Sequence, residues 1–400
     1  MYLAFNQDCS CLAVGSSGGF SIHGVDPPGR YFVHSGEPIG CVELLFSTSL
    51  VAISASFSNG KRELRLMNTK RNSIICKLDF PTSILALRMN RRRLAVVLEE
   101  QLYIYDIAKM ELKTMIDTAF NPLGVCAMSS VGDQLYIAFP GSTSSLDNAD
   151  GSMKQSPINA AALSAAGCGN GTVVIFDAIA CAPVTIIPAH KAPITALAIS
   201  PDGTLLATAS EKGTVVRVFD VPSGERRYTF RRGSYPVRIQ SMCFSRDDSL
   251  LAVSSDSGTV HIFKMGSSSP STSPTRLNAA SDAGLDGHWD SADAAKQNNP
   301  SSSTKSASGA VTSWAGKVGG KLASKAAAYL PGGIADILEP DRDFASLRIP
   351  PLSPASPTSG KGKPTNVYVA TDDGRLLVYG IDLVKGGTCP LLRQHSLTSA

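Results

Sequence analysis

The sequence predicts an all-β chain folded as a seven-bladed β-propeller, and three observations carry that prediction. First, two stretches follow one plan. "ITALAISPDGTLLATASEKGTVVRVFD" (194–220) and "IQSMCFSRDDSLLAVSSDSGTVHIFKM" (239–265) each read apolar strand, polar turn, apolar strand, Gly-containing turn, apolar strand. Ile194 aligns with Ile239, Leu206 with Leu251 and Thr214 with Thr259. Second, the third-strand signature recurs seven times: "FSIHG" (20–24), "LRLMN" (64–68), "LYIYD" (102–106), "VVIFD" (173–177), "VRVFD" (216–220), "VHIFK" (260–264) and "LLVYG" (376–380). Third, most spacings are close to the ~40 residues of a four-stranded blade. A lone blade cannot cover its own apolar faces, so seven are expected to stack around a channel.

In chain order, the first unit is "FNQDCSCLAVGSSGGFSIHG" (5–24), and the second contains "FSNGKRELRLMNTKR" (57–71). "NRRRL" (90–94) reads as a solvated basic turn of the third. The fourth holds an insertion at 141–169, and the sixth a larger one at 266–342. In residues 266–310, 12 of 45 are serine, too few apolar groups to offset ordering entropy, so both insertions are expected to be disordered. Residues 1–265 therefore carry blades 1–6, 343–385 the rest of blade 6 and blade 7, and 386–400 a C-terminal tail. The first of the two aligned copies has one extra residue, expected as a bulge near Arg217. No blade carries a Trp-Asp pair: Trp289 and Trp314 lie outside the pattern, so the repeat is divergent.

Composition narrows the function. The net charge of +4 and the lack of a long basic run argue against general nucleic-acid binding. The nine cysteines show no CxxC pair or metal spacing, which fits small buried hydrophobes in a reducing cytosol. The N-terminus has no signal-peptide pattern, and no apolar run approaches the ~18–20 residues of a membrane-spanning helix. A soluble protein with at most peripheral membrane contact is expected. His23 and His261 occupy matching third-strand positions and read as structural. No Gly-rich phosphate loop, Ser-His-Asp order or carboxylate pair stands out, so no catalytic residue, metal or cofactor is expected.

One stretch does point to chemistry. "YTFRRGSYPVRIQ" (228–240) sets Arg231 and Arg232 side by side at a strand end. Adjacent strand residues face opposite ways, so the two guanidinium groups serve different places. One side offers His190, Lys191, Ser210, Thr214 and Arg217; the other offers Arg238, Ser254, Ser255 and Thr259. Arginine forks and small hydroxyls suit a phosphomonoester. Gly233 is expected to let the chain turn without blocking either pocket. The residues alone leave a second reading open, in which the arginines form inter-blade salt bridges.

The stretch from "AHKAPITALAIS" through "FRRGSYPVRIQ" to "SGTVHIFK" resembles the core of the PROPPIN family, the phosphoinositide-binding propellers of autophagy, in its fungal form. The motif Phe230-Arg231-Arg232-Gly233 carries the resemblance, and the seven units extend it over nearly all of the ordered chain. The resemblance implies two headgroup pockets for phosphatidylinositol 3-phosphate and the 3,5-bisphosphate. Arg231 would serve one with His190, Lys191, Ser210, Thr214 and Arg217. Arg232 would serve the other with Arg238, Ser254, Ser255 and Thr259. It also implies recruitment of autophagy machinery to the forming autophagosome, a role in vacuole and endosome membrane dynamics, and a partner such as the autophagy lipid-transfer protein. That partner is expected on the early-blade side, around the second unit. The rival reading is a WD-repeat scaffold without lipid binding.

"VTSWAGKVGGKLASKAAAYLP" (311–331) differs from the serine tract before it. On a helix Trp314, Val318, Leu322 and Tyr329 share a face beside a lysine stripe, the pattern of a membrane-surface helix at 311–330. Gly316, Gly319 and Gly320 weaken that helix in water, so it is expected to fold on a membrane.

Overall fold

The computed structural model describes residues 1–56, 60–141, 171–266, 340–350 and 365–397. Both expected insertions, the 311–330 segment included, lie largely outside those residues. Blade 1 is β1 (Tyr2–Phe5), β2 (Cys11–Ser16), β3 (Gly19–Val25) and β4 (Pro28–Ser35). Blade 2 is β5 (Ile39–Leu44), β6 (Leu50–Ala55), β7 (Glu63–Asn68) and β8 (Ser73–Asp79). Blade 3 is β9 (Ala86–Met89), β10 (Arg93–Val97), β11 (Gln101–Asp106) and β12 (Glu111–Asp117). Blade 4 is β13 (Ala127–Met128), β14 (Tyr136–Pro140), β15 (Thr172–Asp177) and β16 (Ala182–Pro188). Blade 5 is β17 (Ile194–Ile199), β18 (Leu205–Ser210), β19 (Val215–Asp220) and β20 (Arg226–Arg231). Blade 6 is β21 (Ile239–Phe244), β22 (Leu250–Ser255), β23 (Thr259–Lys264) and β24 (Ala345–Arg348), extended by the parallel β27 (Gly387–Thr388). Blade 7 is β25 (Thr365–Thr371), β26 (Arg375–Ile381) and β28 (Leu391–Ser396). The seven third-strand signatures fall in β3, β7, β11, β15, β19, β23 and β26.

The core is a ring of seven apolar seams, one between each pair of neighbouring blades. Leu12, Val14 and Val25 of blade 1 meet Leu376 and Leu397 at the end of the chain, which closes the ring. Strand position in the blade dictates burial. Second strands such as β10 are buried on both faces, whereas the outer β8 and β12 expose every other residue or more. The sequence mirrors this, with unbroken runs such as "LAVV" inside and mixed runs such as "ELKTMID" outside.

Three expectations need correcting. Residues 386–400 are not simply a tail: β28 pairs with β26 and satisfies its open edge, while Leu397 is buried in the closing seam. The extra residue of blade 5 is not a bulge at Arg217. Second and third strands pair in unbroken register there, Thr208 opposite Arg217 and Ala209 opposite Val216. The added residue sits in the turn, which has four residues between Ser210 and Val215 against three between Ser255 and Thr259. Bulges do occur where third strands meet fourth strands, in blade 5 between Val218 and Phe219 and at the matching place in five other blades. Lastly, "NRRRL" is only partly solvated. Arg93 is buried, donates from Nε to Ala178 O (2.8 Å) in blade 4 and pairs with Asp106 (2.8 Å).

His23 and His261 each meet a polar side chain of their own blade. His23 bonds Ser21 Oγ (2.8 Å), and His261 Nδ1 lies 3.0 Å from Asp343.

Candidate functional site

The outer part of blade 5 sorts its residues by face. Thr208, Arg217 and Thr229 stand opposite one another across β18, β19 and β20. One row nearer the strand ends come Ser210, Val215 and Arg231, on the same face. Leu206 and Phe219 of this face pack against Val173 and Ile175, so it looks toward blade 4. Ala209, Val216 and Phe230 point the other way, against Leu251, Val253 and Phe263 of blade 6. Phe230 is fully buried there, its ring stacked 4.7 Å from that of Phe263. The phenylalanine of the motif thus locks the strand while Arg231 emerges from the opposite face.

On the blade 4 side, His190 Nε2 bonds Thr208 Oγ1 (2.9 Å), and Arg217 Nη1 donates to His190 Nδ1 (3.2 Å) and to Ala189 O (2.5 Å). Burial, helped by the Arg217 charge, pushes the His190 imidazole down to about 4. At neutral pH it is therefore an uncharged strut, and the positive charge of this side rests on Arg217, Arg231 and the exposed Lys191. Arg217 Nε is buried with no hydrogen-bond partner among the described residues. Ser210 is buried at the strand end, and Arg231 is exposed, with Nη2 donating to Ser234 Oγ (3.3 Å).

Arg232 follows β20 and turns to the other side. Its backbone N–H donates to Thr214 O (3.0 Å), as does that of Gly233 (3.4 Å), so Thr214 fixes the motif through its carbonyl. The Arg232 guanidinium donates from Nε to Gly213 O (2.7 Å) and from Nη2 to Tyr235 O. Among the described residues, two of its five N–H groups have acceptors. Arg238 is exposed, and its carbonyl accepts the Asp256 N–H (3.1 Å), which sets it beside the blade 6 turn. In that turn Ser255 Oγ lies 2.9 Å from Ser257 Oγ and donates to Thr259 O (3.4 Å).

Not every expected residue converges. Ser255 shares a face with Val253, toward blade 5, but Ser254 shares one with Ala252, which packs into the seam with blade 7. Adjacent strand residues cannot both face one pocket, and Ser254 Oγ donates to Ser241 O (3.4 Å). Gly233 is not the glycine the turn requires, since a Cβ there would meet open space. That role falls to Gly213, with φ +56° and a Cβ position 1.9 Å from Val237 O. Thr208 also belongs to the arrangement, and Tyr235 stands beside it, meeting Arg232 only through its backbone carbonyl. The alternation of "LLATAS" placed Thr208 on the Ser210 face, and the exposed aromatic beside the motif was a signal for Tyr235.

The chemistry of the rim is cationic. Among the described residues, no carboxylate forms an ion pair with Arg217, Arg231, Arg232 or Arg238. No group of His, Cys, Asp and Glu among them could hold a metal ion. Guanidinium forks with buried hydroxyls and a neutral imidazole suit phosphate oxygens.

Comparison with known proteins agrees with this reading of the fold. The PROPPIN family model matches residues 1–156 and 152–280. Autophagy-related protein 18 of Mycosarcoma maydis is 40% identical, over 98% of this chain and 91% of that protein. The protein of the same name from Aspergillus terreus is 38% identical, over 99% of each. Among solved structures, the complex of KlAtg21 with the coiled coil of AgAtg16 superposes with a TM-score of 0.65 at 28% identity, covering 99% of both chains. Kluyveromyces lactis Hsv2, at 16% identity, gives a TM-score of 0.59 over 99% of this chain and 98% of that one, which shows the shared fold. The chain belongs to the PROPPIN family of β-propellers.

Proposed function

We propose that the protein is a peripheral membrane reader of phosphatidylinositol 3-phosphate and the 3,5-bisphosphate that acts in autophagy. One observation carries this reading: two adjacent guanidinium groups leave opposite faces of a strand end, and neither pairs with a carboxylate among the described residues. Arg231, Ser210, Thr214 and Lys191 form the first headgroup site, with His190 and Arg217 behind them. Arg232, Arg238, Ser255 and Thr259 form the second, and Ser254 stands apart from it. Two weak sites on one surface reinforce each other through effective concentration.

Membrane recruitment then places a propeller surface for partners. The relatives' names support a role in autophagy. The similar structure that holds a coiled coil supports a protein partner for this chain too. Exposed Ile74 and Ile75 on β8 with Leu112 and Met115 on β12 offer an apolar surface on the early blades, where a coiled coil or the lipid-transfer protein would dock. The sites of action are the preautophagosomal, endosomal and vacuolar membranes. The 311–330 segment, with Trp314, Val318, Leu322 and Tyr329, would add a second membrane contact.

Flotation with phosphatidylcholine vesicles, with and without phosphatidylinositol 3-phosphate, tests the reading. Binding only in the presence of the phosphoinositide, weakened by salt, supports it. Equal flotation or none leaves a protein scaffold as the function. Calorimetry with a soluble short-chain lipid should count two headgroups per chain.

A further inference from the structure

Tyr235 is 82% exposed, more than any other aromatic residue among the described residues. The loop that carries it, by contrast, is held at three positions. Arg232 donates to Tyr235 O, Arg231 donates to Ser234 Oγ (3.3 Å), and Val237 N–H donates to Lys212 O (3.1 Å). Gly213 brings the turn beneath close enough that a Cβ there would strike Val237 O. The loop is fixed and the ring stands clear of it. Turn chemistry does not require an aromatic side chain at this position, and Pro236 beside it already restricts the backbone.

We infer that Tyr235 is an aromatic membrane anchor set between the two arginine sites, its ring entering the headgroup layer of the bilayer. This rests on the lipid-binding function proposed above. A tyrosine has an apolar body and a polar tip, and it is favoured where one end is dry and the other wet. Its surroundings select an anionic bilayer as the occupant. Exposed Arg231, Arg238 and Lys212 flank it. Of the nearby carboxylates, Asp256 is engaged by Gln240, Glu211 lies beside Lys212, and exposed Asp341, whose carbonyl accepts the Arg231 N–H (2.8 Å), is followed by exposed Arg342. The guanidinium groups that take the headgroups also hold the loop that presents the ring. Headgroup binding and ring insertion therefore happen at one depth, and a soluble headgroup would use the first without the second.

That difference supplies the test. Because the side chain is exposed, Tyr235→Ala leaves the thermal midpoint unchanged. Its affinity for phosphatidylcholine vesicles bearing phosphatidylinositol 3-phosphate is expected to fall about tenfold, as the interface loses part of an aromatic side chain. Its calorimetric affinity for soluble dibutanoyl phosphatidylinositol 3-phosphate should match wild type. Tyr235→Trp restores vesicle binding. In a chain whose Trp289 and Trp314 are replaced by Phe, the introduced indole is quenched by brominated lipids. Wild-type vesicle affinity in Tyr235→Ala, or an indole that brominated lipids do not quench, overturns the anchor and leaves the headgroup sites standing. Equal loss of soluble and vesicle binding also overturns it, since the ring would then act only by shaping the loop. A wild-type chain that binds neither probe overturns the lipid-binding function itself.

Discussion

Two groups of arginines in this propeller do opposite work. In blade 3, Arg88 is half-buried, donating to Cys126 O (3.1 Å) and Leu87 O (2.8 Å) beside Glu43; Arg93 bridges to Ala178 O and Asp106. At the end of blade 5, the guanidinium groups of Arg231 and Arg232 donate only to neutral oxygens among the described residues, and those oxygens belong to their own loop and the turn beneath, while the Arg231 backbone N–H donates to Asp341 O (2.8 Å). A guanidinium set against carbonyls of the neighbouring blade, with a carboxylate beside it, is a structural strut. One that keeps spare N–H groups at the rim, with no counter-charge, is available to an anion. The ion pair of blade 3 joins Arg93 to Asp106 within that blade, while the bond from Arg93 to Ala178 O crosses to blade 4, and the two regions can be told apart by which property a substitution damages.

The sharpest break is expected from Arg231→Thr with Arg232→Thr. Vesicle binding should fall by a hundredfold or more on the order-of-magnitude scale of two lost charge-assisted sites. Each single change should cost about tenfold, because the sites lie on opposite faces. The thermal midpoint should hold, since Phe230 and not the arginines anchors the strand. A double variant that floats like wild type would put these arginines in the same class as those of blade 3.

Arg93→Ala should do the reverse. It leaves Ala178 O without its donor across the seam between blades 3 and 4, at a cost of about 2 kcal/mol. Chemical denaturation would show this as a lower midpoint, with headgroup affinity unchanged where the chain is folded. Unchanged stability would mean that the buried bridge is not a strut.

Much of this division was legible in the sequence, and the misses have a common cause. Strand periodicity sent Phe230 and Arg231 to opposite faces because side-chain alternation is local. The third strands were found because their apolar alternation repeats at the blade period. What failed depended on one blade docking on another. "NRRRL" looked like a loop, yet Arg93 is claimed by a carbonyl 85 positions along the chain. The last residues looked like a tail, yet β28 is held by the open edge of β26. Ser254 and Ser255 were grouped by chemistry, although their alternation already separated them. The required glycine was misplaced because only the approach of Val237 shows that Gly213 has no room for a side chain.

Gly213→Ala therefore probes the boundary between structure and site. The left-handed φ costs about 1 kcal/mol for alanine, and the Cβ forces the 233–238 loop to move. The loop carries Arg238, and Arg232 beside it donates to Gly213 O, whereas Arg231 lies in β20. Calorimetry with soluble lipid is expected to retain one site and weaken the other. Equal loss of both would show that the sites are not separate.

The smallest effect is expected in the blade 2–blade 3 region, from a change of proton rather than of charge placement. Burial pushes the Glu43 carboxyl up to about 7, against the pull of Arg88 and the hydrogen bond from Gln7. The unfolded carboxyl titrates near 4.5, so the fold favours the protonated form. The unfolded chain releases this proton first, so stability is fully present below the unfolded value. It is lost as pH rises toward and through about 7, as Glu43 becomes a buried anion. Between about pH 6 and about pH 8 the loss amounts to roughly 1 kcal/mol. Glu43→Gln keeps the size and a hydrogen-bonding group but cannot ionise, so its thermal midpoint should stay flatter across that window. Headgroup affinity should not follow the same curve, because Glu43 belongs to the strut region and not to the rim. A wild-type midpoint as flat over this range as that of Glu43→Gln would place the Glu43 carboxyl in its charged form, paired with Arg88, because such a carboxyl titrates below about 4.5, and would remove the reason to separate a proton-sensitive core from the arginine rim.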